Sequence, residues 1–113
     1  MRELRLTAKA YVTLNGSGNG TASTGPLSPG EQWKNLTASV KVATNTAEAI
    51  CSIYAGAAAT PGYFADATSW GSTGDSTSNL GTVLVGGNVF AVWAGGDAGA
   101  RAVLTVTGTK VVA

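Results

Sequence analysis

Leu4-Arg5-Leu6-Thr7-Ala8-Lys9-Ala10-Tyr11-Val12-Thr13-Leu14 decides the fold class. Every even position is apolar and every odd position is polar or aromatic. A helix would scatter such a pattern around its circumference. An extended strand puts Leu4, Leu6, Ala8, Ala10, Val12 and Leu14 on one face and Arg5, Thr7, Lys9, Tyr11 and Thr13 on the other. The same period returns near the other end of the chain, where Ala102, Leu104 and Val106 alternate with Val103, Thr105 and Thr107 between Arg101 and Lys110. It returns again in Leu36, Ala38, Val40 and Val42.

Between these runs the punctuation is that of turns. Asn15-Gly16-Ser17-Gly18-Asn19-Gly20-Thr21 lacks a large apolar anchor, so residues 15–30 read as a Gly/Ser/Thr-rich loop closing in a Ser28-Pro29-Gly30 turn. Trp33 is out of phase with the Leu36 set, and a bulge at Lys34-Asn35 would return it to the core. Ile50 to Tyr54 reads as a strand, Gly62 to Asp66 as a short edge strand, and Trp70 to Ser76 as turn-rich surface. Leu80–Val85 and Val89–Trp93 flank Gly86-Gly87-Asn88 as a hairpin, and Gly95-Gly96-Asp97-Ala98-Gly99 is a tight connection. About seven strands and no helix predict an all-β chain folded as one antiparallel sandwich, Ig-like or jelly-roll-like. The expected single domain, 1–113, divides into an N-terminal strand (1–14), the loop (15–30) and the remaining strands (31–113).

Composition narrows the function. The 113 residues carry 12% charged side chains and a net charge of +1, and Ala, Gly, Thr and Ser make up 59 of them. Seven basic residues scattered along a nearly neutral chain predict no nucleic-acid partner, because neutralising phosphates takes clustered cations. No apolar run reaches membrane-spanning length, and Met1 to Leu6 has no apolar signal core, so neither a membrane span nor a secretory signal is expected. Histidine is absent and Cys51 is the single cysteine. Disulfide frameworks, Cys/His zinc sites and nucleophile–histidine pairs are thereby excluded, and a non-enzymatic protein without cofactors is expected.

Each candidate residue has a functional and a structural reading. Trp33, Val40, Trp93 and Leu104 lie on alternating strands and read as core, not as a sugar-stacking platform. Trp70 stands in a polar stretch near Tyr63 and Phe64, and Thr7, Tyr11 and Thr13 form the outward face of the first strand. Thr7, Tyr11, Thr13, Tyr63 and Trp70 are therefore the candidate interface residues. Asp66, Asp75 and Asp97 sit among glycines, which invites a calcium reading, yet no recognisable ligand pattern accompanies them. Asp97 is expected to cap amides of its own Gly95, Gly96 and Gly99 turn, with Arg101 as an ion-pair partner, a role that Asn would fill equally well. Cys51, between Ile50 and Ile53, reads as a buried inert thiol.

A longer match appears from Ser28 onward. Ser28-Pro29-Gly30-Glu31-Gln32-Trp33, Cys51-Ser52-Ile53-Tyr54-Ala55-Gly56, Ala91-Val92-Trp93-Ala94-Gly95-Gly96-Asp97-Ala98-Gly99-Ala100 and Leu104-Thr105-Val106-Thr107-Gly108-Thr109 follow in that order. Together they resemble small virion-structural β-sandwich proteins of tailed phages that infect actinobacteria. The resemblance implies a particle component in the virion, assembled in the host cytoplasm, with phage capsid or other virion proteins as partners. It implies a multi-copy or homo-oligomeric state and no enzymatic activity. Capsid decoration is the expected role, with a tail or neck component as the alternative in the same class. A carbohydrate-binding or host-adhesion module using Trp70 and Tyr63 is the alternative from another class.

Overall fold

A computed structural model describes residues 2–26, 30–44, 46–47, 49–60, 62, 64–69, 74–77, 84 and 87–112; for 64–69 and 74–77 the description is of the backbone. Eight strands are found among them: β1 (Arg2–Thr13), β2 (Gly20–Thr24), β3 (Gln32–Val42), β4 (Ile50–Gly56), β5 (Phe64–Ser69), β6 (Gly74–Thr77), β7 (Asn88–Ala94) and β8 (Arg101–Val112). They form two four-stranded antiparallel sheets, ordered β1-β8-β3-β6 and β2-β7-β4-β5.

The pairs β1–β8, β2–β7, β3–β6 and β4–β5 all join strands equally far from the two ends of the series. The chain is thus a long hairpin folded at its middle and then rolled, so that β8 also meets β3 and β7 also meets β4. This is a jelly roll, one of the two sandwich types expected. Side chains alternate across each sheet, and the inward set from both closes one core. Leu6, Leu36, Val40, Val42, Leu104 and Val106 come from one sheet, and Ala22, Cys51, Ile53, Val89, Ala91 and Trp93 from the other.

The four residues expected in the core are all buried: Trp33, Val40, Trp93 and Leu104. Trp33 gets there by the expected bulge. The β3–β8 register shifts between Lys34 and Thr37, and Asn35 takes φ 54°. Odd positions therefore face inward before the bulge and even positions after it. The indole Nε1–H of Trp33 donates to Glu31 Oε2 at 2.7 Å, which satisfies its one polar atom.

Three local expectations are corrected. Gly20–Thr24, read as part of the 15–30 loop, is an edge strand paired with β7. Its anchor is Ala22, which is buried although too small to register as an apolar signal. Of the expected hairpin of 80–85 with 89–93, only Leu84 of the first arm is among the described residues, and both flanks of the second arm, in β7, are taken by β2 and β4. Leu84 instead exchanges two backbone hydrogen bonds with Trp33 in the opposite sheet (2.8 and 3.0 Å). Gly74–Thr77, overlapping the end of the Trp70–Ser76 stretch read as surface turn, is a strand on the free flank of β3. In each case long-range pairing overrode a local turn signal.

Candidate interaction face

The outward side of the β1-β8-β3-β6 sheet is built by the same alternation that makes the core. Its cross-strand rows are Thr13–Arg101, Tyr11–Val103–Lys41, Lys9–Thr105–Ser39, Thr7–Thr107–Thr37 and Arg5–Thr109–Lys34. Thr7, Tyr11 and Thr13 are all exposed, as expected, and lie on one face. Tyr63 and Trp70, the other two candidate interface residues, lie outside the described residues.

The basic residues are not scattered in space, which corrects the sequence expectation. Arg5, Lys9, Lys34, Lys41 and Arg101, five of the seven in the chain, share this face. The bulge contributes to this, since the phase change that turns Trp33 inward turns Lys34 outward. Lys34 Nζ pairs with Glu3 Oε2 at 2.9 Å, with both side chains substantially exposed. Among the described residues that is the one ion pair, so Arg5, Lys9, Lys41 and Arg101 have no carboxylate partner among them on this face of hydroxyl side chains.

Near one end of the face, Arg101 lies over the Tyr11 ring, 5.1 Å from its centroid. The two are diagonal neighbours on adjacent strands, where a long side chain reaches an aromatic one. Arg101 therefore does not pair with Asp97, as had been expected. Tyr11 remains 56% exposed, one of two large hydrophobic residues so placed among the described residues. Beside it is a hollow of about 190 Å³ with Val103 at its floor and Tyr11, Arg101 and Lys41 around it.

The loops at this end of the sandwich are locked together. Leu14 N–H donates to Ala100 O (2.8 Å), Gly99 N–H to Leu14 O (3.0 Å), and Gly96 N–H to Gly18 O (2.9 Å). Asn15 Oδ1 accepts from Ser17 N–H and Asn19 N–H, and Asn19 Oδ1 accepts from Gly95 N–H. Asp97 does cap amides, but across the fold: Oδ2 accepts from Thr46 N–H at 2.9 Å and Oδ1 from Ala47 N–H at 2.8 Å. These bonds, Thr46 first and then Ala47, hold its carboxyl below the usual range. Gly95 and Gly99 take φ 72° and 77°, the left-handed region expected for this turn. Gly96 is crowded for a different reason, since a Cβ there would come within 2.9 Å of Leu14 Cδ1 and 3.0 Å of Ala49 Cβ.

Burial pushes the Cys51 thiol up to about 12, so it stays protonated and shielded. Among the described residues no three potential metal-ligating side chains converge. The sequence reading also missed the outer face of the second sheet. There Ile50, Tyr54, Phe90 and Val92 stand together with no charged residue on β2, β4 or β7. The rows Tyr54–Phe90 and Ser52–Val92 were hidden because their partners are distant in the chain. No protein-family model matches the chain, and no curated protein matches it.

Proposed function

We propose that the chain is a non-enzymatic structural protein of a phage particle, a decoration or cementing subunit that binds the capsid surface. The observation that carries this reading is the long, regular outer face of β1, β8 and β3, which offers a partner exposed Tyr11, rows of threonine hydroxyls and cations able to pair with carboxylates. The resemblance running from Ser28 to Thr109 supports the particle assignment. The fold alone does not choose among the alternatives, since jelly rolls occur in viral shells and in lectins alike. Adhesion by this face would join neighbouring shell subunits without any covalent step. Partner contact would also raise the apparent stability by mass action.

Co-sedimentation with purified shells assembled without the protein, followed by location of its density on the particle, tests the proposal. Saturable binding with density on the outer shell is expected. Failure to bind shells, together with saturable binding of one sugar family on a glycan array, would overturn it in favour of a carbohydrate-binding module. Density on the tail or neck would overturn the decoration role.

A further inference from the structure

We infer that the hollow between Tyr11, Arg101 and Lys41 is an anchor site for an acidic segment of a partner protein, one that seats an apolar side chain on Val103 and places carboxylates against the two cations. This deepens the attachment reading and rests on it for the identity of the partner, though the recognition chemistry stands on the site itself.

The hollow and its charges are independent observations. The floor is Val103, part-exposed at the centre of a three-strand row, and its volume of about 190 Å³ suits one aliphatic side chain. Arg101 and Lys41 flank it from adjacent strands, and Lys9 lies one row further along β1. None of the three has a carboxylate partner among the described residues. The contact of Arg101 with the Tyr11 ring restrains the guanidinium, so less side-chain entropy is lost on binding.

The same face argues for carboxylates on a protein rather than for nucleic acid. Its cations fall into two groups, Arg101, Lys41 and Lys9 in consecutive rows and Arg5 with Lys34 in another, and the Thr7–Thr107–Thr37 row interrupts them. Tyr11 is the one aromatic ring among the described residues of the face, and a single ring with Arg101 against it makes no series of platforms for successive bases. A sheet presented by its flat side is also too broad for the major groove, which admits a two-stranded ribbon.

The probe is a fluorescein-labelled acidic peptide with a leucine between paired glutamates, titrated against the full chain by anisotropy. Controls are the same peptide with glutamines and a single-stranded oligonucleotide of equal charge. Binding of the acidic peptide is expected to weaken on the order of tenfold in the Lys41→Gln/Arg101→Gln protein and to fall steeply with added salt. It should be unchanged in Arg2→Gln, which removes a charge off this face. Equal affinity in the double variant, or tighter binding of the oligonucleotide, would overturn the site. Shell binding by the same proteins separates the two ideas. Shells that hold wild type and double variant alike would remove the hollow and leave attachment standing. Peptide binding as expected without any shell binding would do the reverse.

Discussion

Replacing Trp93 by phenylalanine should cost far less than its size suggests. The indole is fully buried on β7, opposite Gly20 on β2 and Cys51 on β4, two small residues that make room for it. Its Nε1–H has no hydrogen-bond partner among the described residues. Truncation to alanine removes the ring and leaves a cavity, at a cost of about 3–5 kcal/mol. That is a large share of the roughly 5–15 kcal/mol that holds a domain of this kind together. Phenylalanine removes about 40 Å³, worth about 1 kcal/mol of cavity and a similar amount of lost transfer energy. It also removes a donor whose unpaired burial costs about 1–3 kcal/mol. The two effects nearly cancel, and the net change should lie within about 1 kcal/mol of zero. Urea unfolding followed by far-UV circular dichroism would read both variants, and similar m values would validate the comparison. At this chain length Trp93→Ala should melt roughly 12–20 °C below the parent and Trp93→Phe within about 5 °C. If Trp93→Phe loses as much as Trp93→Ala, the indole N–H has a partner and the reasoning fails.

Asp97 contributes stability through a lowered carboxyl, so its contribution is complete above about pH 4 and is lost as pH falls through the lower folded value. Asp97→Asn supplies one acceptor where two backbone N–H groups each need one, so it should lower the neutral-pH melting temperature and flatten its acid limb; parallel melting curves from pH 7 to 3 would contradict this. Gly18→Ala should destabilise strongly, because Gly18 has φ 76° and a Cβ would land on the Gly96 carbonyl oxygen, whereas Gly16→Ala meets nothing and should be nearly silent in thermal melts. Cys51 should resist a thiol reagent at pH 8 in the native protein and react fully in denaturant; fast native labelling would refute its burial. Removing residues 1–14 should abolish the cooperative melt of the unbound protein, since β1 is paired along its whole length with β8 and delivers Leu6 and Leu14 to the core; an unchanged melt would assign β1 to attachment alone.

What was legible in the sequence was whatever a single strand decides for itself. The alternation of Leu4 to Leu14 dictated which side chains of β1 face the core, and Thr7, Tyr11 and Thr13 are exposed as that pattern requires. The phase break at Trp33 announced the bulge, because an inward tryptophan cannot share parity with Leu36 unless one residue is added. The glycines of the 95–99 turn announced left-handed backbone at one or more of them, and Gly95 and Gly99 take it.

What only the tertiary structure decided was which strands meet. Leu80–Val85 and Val89–Trp93 carried the strongest local hairpin signal, yet β7 pairs with β2 on one flank and with β4 on the other. Gly20–Thr24 became a strand because β7 offered it an unpaired edge, a stabilisation that exists only once the sandwich has closed. Asp97 found its amides about fifty residues away, at Thr46 and Ala47, since the rolled hairpin brings those loops to one end. The same rolling gathered Arg5, Lys9, Lys34, Lys41 and Arg101 onto one face. Alternation is a property of one strand's stereochemistry and can be read from its residues. Strand order is set by the competition among all edges for partners, which no single segment encodes.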